Sequence, residues 1–172
     1  MNRSFFLGSI AALMLFSPAL ADSADVLGAF KNWTAYSTGS GDSKTCYAMS
    51  APRATEPKNL KRGAIFLMVS DWPGRKVKAE PEIAPGYAYK PGAVATLGIG
   101  GDRFNFFSRN DGTNGSAWLQ NLNDTSPLLD AMNHGVSAVA IGTSARGTRT
   151  VDTYSLAGFG DALARIHAAC NM

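Results

Sequence analysis

The chain has 172 residues, a formal net charge of +3, two cysteines and two histidines. So mild a charge, with neither a basic helix nor an aromatic stacking motif, counts against a nucleic-acid partner. The absence of any C-x-x-C pair, and of a histidine near either cysteine in the sequence, counts against a zinc site, and no cofactor is expected.

The first residues read as a secretory leader. Arg3 supplies a positive charge, residues 5–16 form an almost unbroken apolar run, and Ala19-Leu20-Ala21 is a small-x-small cleavage site before Asp22. Pro18 and Asp22 cut the apolar run short of the roughly 18 residues that a membrane span needs. A signal peptide over 1–21 is therefore expected, with no transmembrane segment in the mature chain. Residues 22–172 then make a single domain, long enough to bury a real core. Export leads to an oxidising space, where two leftover cysteines tend to pair, so Cys46 is expected to bond Cys170. Two buried free thiols, or an intermolecular bridge through Cys170, are the alternatives.

Residues 22–31 read as a short lead-in, at most a loose helical turn. Residues 33–37 and 45–50 alternate bulky and small side chains around a glycine-rich stretch at 39–43, the pattern of a hairpin. Residues 52–63 read as a polar loop and 64–70 as a central strand buried on both faces. Pro73 and Gly74 end that strand. Between positions 53 and 78 stand Arg53, Lys58, Lys61, Arg62, Arg75, Lys76 and Lys78, against Glu56 and Asp71. Within this run Trp72, Arg75, Lys76 and Lys78 form a candidate binding patch, an apolar anchor among cations that would face an anionic polysaccharide, a lipid headgroup or a partner protein. Solvated loop charge is the alternative reading.

Residues 86–90, 93–99 and 103–108 read as three more strands, with turns at Pro91-Gly92 and Gly100-Gly101-Asp102. Gly98, Gly100 and Gly101 do not make a phosphate loop, because no Lys-Ser/Thr follows and a strand comes next. Residues 110–115 are rich in side-chain oxygens but lack a closing acid for calcium, and a β-turn accounts for them. A short helix is predicted near 126–134, with Asp124 or Ser126 as its cap, Pro127 in its first turn and Gly135 as its stop. Residues 136–142 and 148–155 then form a strand pair about the turn at 144–147, where Arg146 and Asp152 are expected to make a structural ion pair. A closing helix near 158–170 aligns Phe159, Ala162, Leu163, Ile166, Ala169 and Cys170 on one face. About eight or nine short strands at hairpin spacing, with two late helices, predict a mainly β chain built as an antiparallel sandwich or barrel-like sheet.

At Trp33, Cys46, Trp72-Pro73, Glu80, Gly86, Ala117-Trp118, Ala131-Met132-x-x-Gly135, Gly142-Thr-Ser-Ala-Arg-Gly-Thr148 and Asp152-Thr-Tyr-Ser-Leu-x-Gly158, the chain resembles the invasion-associated locus B family. The resemblance implies an exported bacterial protein, periplasmic or of the outer envelope, with an immunoglobulin-like β-sandwich and, in some members, a role in entry into host cells. It supplies no catalytic residues. Many members carry a further cysteine soon after the early tryptophan; here Tyr36 and Ser37 stand in that neighbourhood, so the corresponding extra disulfide is not expected.

Two functional classes follow. One is a non-catalytic envelope protein that binds a protein, a polysaccharide or a lipid headgroup. The other is a periplasmic hydrolase assembled from Ser144, His134 and Asp152. Against the hydrolase, the Ser144 surroundings do not match a G-x-S-x-G elbow and the local order is strand, turn, strand rather than strand, turn, helix. Glu80 and Glu82, set in what reads as charged loop, do not suggest a glycosidase pair either.

Overall fold

The computed structural model of the protein describes residues 23–172, and the predicted leader at 1–21 lies outside the described residues. Its strands are β1 (Asp25–Phe30), β2 (Trp33–Thr38), β3 (Thr45–Ser50), β4 (Ala54–Glu56), β5 (Phe66–Trp72), β6 (Val77–Ala84), β7 (Ala95–Ile99), β8 (Asp102–Asp111), β9 (Asn114–Leu119), β10 (Ser137–Thr143) and β11 (Arg149–Ser155). Two helices join them, α1 (Thr125–His134) between β9 and β10, and α2 (Phe159–Cys170) after β11. The strands form one hydrogen-bonded sheet in the order β1-β2-β3-β5-β6-β9-β8-β7-β10-β11-β4. Every neighbouring pair is antiparallel.

A sheet this broad would leave an apolar face in water if it lay open. It rolls over instead. The Trp33 indole, at the start of β2, donates to the Ser155 carbonyl at the end of β11 (3.0 Å), and the Asn32 N–H donates to the Ala157 carbonyl (3.2 Å). Strands from opposite ends of the sheet thus meet, and the two layers enclose a core that includes Leu67, Val69, Ile83, Leu97, Phe106 and Tyr154. The result is the mainly β antiparallel sandwich that the strand spacing predicts.

Helix α2 covers β1, β2, β3 and β5. Phe159, Ala162, Leu163, Ile166 and Cys170 form its buried face, as their three-and-four spacing requires. Three ties hold it down. Cys170 is bonded to Cys46 on β3 (S–S 2.04 Å). The His167 Nδ1 lies 2.6 Å from Oδ2 of the fully buried Asp71, whose Oδ1 accepts from the Ala79 N–H at 2.8 Å. The Lys44 ammonium donates to the Ala169 carbonyl (2.6 Å), a cation placed where the helix C-terminus is negative. At the other end Gly158 has φ +92°, and a Cβ there would fall on the Phe30 carbonyl oxygen, so only glycine lets the helix start this close to β1.

Five expectations are corrected. The polar loop at 52–63 contains the short strand β4, whose residues find an open edge in β11 and pair with it at Val151, Asp152 and Thr153. The lead-in is a strand, β1, because Leu27 and Phe30 find core to pack against and the segment pairs with β2, with Leu27 itself falling at the register shift between Val26 and Gly28. The stretch after Trp72 is likewise a strand, β6, despite Pro81: its pairing with β9 covers only Glu82 and Ile83, leaving the proline with no ladder bond to supply on that side. Residues 86–90 are not a strand and make only a single bridge, Tyr89 to Ser144; the Asn110 amide bonds both the N–H and the carbonyl of Tyr89 at 2.8 Å in place of a neighbouring strand. Finally, β5 is buried on one face: Leu67 and Val69 are fully buried, while Phe66 and Met68 are half-buried on the other.

Candidate functional site

The β5–β6 connection is a tight 3-10 turn, Pro73–Arg75, closed by Lys76 in the left-handed region (φ 54°). It carries Trp72 and Arg75 out beside the β8–β9 hairpin. There Phe107 and Trp118 are register partners on the outward face, with ring centroids 6.0 Å apart. Between the two hairpins, where β9 stops and the chain turns toward α1, opens a groove of about 730 Å³. Trp72, Phe107 and Trp118 give it an aromatic floor, and Arg75, Lys78, Glu80, Glu82 and Arg109 give it a charged rim.

The charges are not arranged as a simple cationic patch. The Arg75 guanidinium lies over the Trp72 ring (5.1 Å) and within 4.0 Å of Glu80, while Arg109 lies over Phe107 (5.6 Å). Burial pushes the Glu82 carboxyl above its ordinary pKa; the Ser116 side chain pulls it back, the Glu80 charge adds to the rise, and Trp118 pulls it down. The apolar surface is open: Phe107 is 39% exposed and Leu122, at the end of the groove, 79%. The buried Trp72 Nε1–H has no acceptor among the described residues, a cost of about 1–3 kcal/mol that the fold carries at this position.

Of the sequence-predicted patch, Trp72, Arg75 and Lys78 therefore line the groove, and Lys76 sits outside its lining at the exposed corner of the turn. Phe107, Arg109 and Trp118 complete it from across the sheet. One sign of them was present in the sequence: in a strand that buries alternate residues, the doublet Phe106-Phe107 must put one ring outside.

The expected Arg146–Asp152 pair does not form. Asp152 points inward from β11 and is held by both guanidinium nitrogens of Arg62, at 2.6 and 2.8 Å, with each side chain only 3% exposed. Arg146, at the tip of the β10–β11 turn, faces solvent. A turn tip cannot reach an inward-facing strand position; the loop at 57–63 can, and it delivers Arg62 from the supposed surface charge run into the interior. Arg146 and Lys61 instead edge a second hollow of about 640 Å³ at the loop end of the sandwich, which holds neither Trp nor Phe.

Nor are Ser144, His134 and Asp152 bonded to one another. The Ser144 Oγ accepts from the Thr148 N–H (3.2 Å) within its own turn, the His134 Nδ1 meets the Asp130 carbonyl (2.8 Å) within α1, and Asp152 belongs to Arg62. Ser144 and His134 are committed to local structure and Asp152 to a distant ion pair. Among the described residues no three His, Cys, Asp or Glu side chains gather as metal ligands, and no helix is long and apolar enough to cross a membrane.

Fold and site together define a class: an antiparallel β-sandwich shut by a disulfide-tethered C-terminal helix, with an aromatic groove on the sheet surface. Among solved structures, the crystal structure of invasion associated protein B from Bartonella henselae shares this fold, with 15% identity over 84% of this chain and 98% of that one, and a TM-score of 0.57. The architecture implied by the sequence resemblance is thus the one observed, and the likeness is one of fold. No protein-family model matches the chain, and neither does any curated protein.

Proposed function

We propose that the chain is a non-catalytic exported binding protein of the invasion-associated locus B type, acting in the periplasm or outer envelope, and that its binding surface is the groove between the β5–β6 and β8–β9 hairpins. The carrying observation is the aromatic trio of exposed Phe107 and half-buried Trp72 and Trp118, held on paired strands and rimmed by charge. Open aromatic area that the fold does not use is the usual mark of a contact surface. The groove's size falls within the roughly 300–1,000 Å³ of small-ligand sites and suits a short segment of polymer better than a whole folded face. The Cys46–Cys170 bond supports an oxidising compartment, and contact with a host surface belongs to the same reading.

Two measurements test this. Expressed with its leader in a bacterium, the protein is expected in the periplasmic or outer fraction with Asp22 as its first residue; an intact leader on cytoplasmic protein refutes export. Immobilised mature protein is expected to retain solubilised envelope polymer, and a Trp72→Ala/Trp118→Ala variant of unchanged melting temperature is expected to lose it. Equal retention by the two proteins would remove the groove from the function.

A further inference from the structure

The groove's chemistry narrows what it takes. Resting on the binding reading above, we infer that its occupant is a neutral carbohydrate chain, whose rings lie on Trp72 and on the Phe107–Trp118 pair while its hydroxyls bond the charged rim.

Each class of ligand would leave different groups of the groove unpaired. A polyanion would gain Arg75, Lys78 and Arg109, but it would have to approach Glu80 and Glu82, and Arg75 is already within 4.0 Å of Glu80. Three cations and two carboxylates nearly cancel, so the groove has little field with which to draw or hold a string of negative charge. Glu82 sits where burial already disfavours its charge, and a neighbouring anion would disfavour it further. A purely apolar ligand, such as an acyl chain, would cover the rings and strip water from both the carboxylates and the guanidinium groups without replacing those bonds.

A neutral sugar leaves nothing stranded. Each hydroxyl both donates and accepts, so one rim of hydroxyls can donate to Glu80 and Glu82 and accept from Arg75 and Arg109. Its C–H face is apolar and matches an aromatic ring. The Arg75 and Arg109 guanidinium groups now lie over the Trp72 and Phe107 rings, and the Arg75 side chain, 60% exposed, has room to swing to the rim and bond the hydroxyls of a sugar that takes its place on the ring. Two separate aromatic stations, Trp72 on one hairpin and the Phe107–Trp118 pair on the other, suit successive residues of one chain rather than a lone monosaccharide. The loop-end hollow provides the contrast. Its lining has one aromatic ring, Tyr87, and its charged residues are all cations: Lys61, Arg146 and Arg62, the last already paired with Asp152; an acidic ligand would be expected there rather than in the groove.

The test uses oxidised mature protein and a defined panel: neutral tetra- to hexasaccharides of glucose, mannose, galactose and N-acetylglucosamine, with heparin and polygalacturonate as acidic probes and a saturated fatty acid as apolar probe. Tryptophan fluorescence reports directly, because Trp33 is fully buried and only Trp72 and Trp118 line the groove. At least one neutral oligosaccharide is expected to shift the emission, with an affinity that high salt leaves unchanged and that Trp72→Ala lowers about tenfold or more. Glu80→Gln/Glu82→Gln is expected to weaken the sugar about as much and to improve heparin binding. Binding of heparin alone, lost in high salt, overturns the inference in favour of an acidic polymer, and binding of the fatty acid alone overturns it in favour of lipid. If no probe binds while envelope polymer is still captured through Trp72 and Trp118, the carbohydrate assignment fails and the binding reading stands. If capture does not depend on those tryptophans, the binding reading itself fails.

Discussion

Trp33 and Trp72 show two uses of the same side chain. Trp33 is fully buried under α2, its indole N–H bonded to the Ser155 carbonyl and its ring edge-on to Phe159 at 4.9 Å. Trp72 is half-buried at the groove, its N–H without an acceptor among the described residues and its ring beneath the guanidinium of Arg75, a side chain 60% exposed. On the helix-covered side every polar atom of the tryptophan is used and its surface is paired. On the groove side the fold keeps an aromatic residue that it buries only in part, with an N–H left without an acceptor among the described residues. Stability resides in the first region, and surface available to another molecule resides in the second.

The comparison breaks most visibly if the helix-covered side turns out dispensable. A Cys46→Ala/Cys170→Ala variant is expected to lose up to about 4 to 5 kcal/mol of stability, since the bond closes a loop of 124 residues in the unfolded chain. Urea unfolding measures it, and a loss below about 1 kcal/mol would show that His167, Lys44 and the apolar face hold α2 unaided. The interior pair at the loop end comes next. Asp152→Ala is expected to cost about 3–5 kcal/mol, because it leaves the Arg62 guanidinium buried without its carboxylate. Arg146→Ala, at an exposed turn tip, is expected to stay within about 0.5 kcal/mol. Equal losses in the two variants would restore the pairing expected from the sequence.

The smallest effect lies in the groove and has the opposite sign. Because burial raises the folded-state pKa of Glu82, ionising it costs stability as pH rises from the ordinary glutamate pKa, near 4.3, through the folded-state value. Glu82→Gln is therefore expected to raise the melting temperature slightly at neutral pH, with the gain disappearing in acid below about pH 4. A variant less stable at neutral pH, or a gain that persists in acid, would place Glu82 among the structural residues instead.

Local order and the closing helix were legible in the sequence because they depend on near neighbours. The spacing of Phe159, Ala162, Leu163 and Ile166 defines a helical face whatever that face meets, and Gly135 and Pro127 mark the bounds of α1 without reference to the rest of the chain. The hairpins around 39–43 and 144–147 are likewise written in turn chemistry. Strand β6 was illegible for a physical reason: Pro81 and a run of charged residues look like loop until a sheet supplies β5 on one side and only two residues of β9 on the other.

The sequence alone determined a mainly β chain with two late helices and a cysteine pair available to tether the last of them, because those features follow from periodicity and composition. Only the tertiary structure decided which carboxylate meets which cation and which aromatics share a surface. Asp152 took Arg62, from 90 positions away, over the nearby Arg146, and Trp72 joined Phe107 and Trp118 from another hairpin while Lys76, beside it in the chain, stayed outside the groove. Such choices are set by which face of a strand a residue occupies and which strands the rolled sheet brings together, and neither is encoded in distance along the chain.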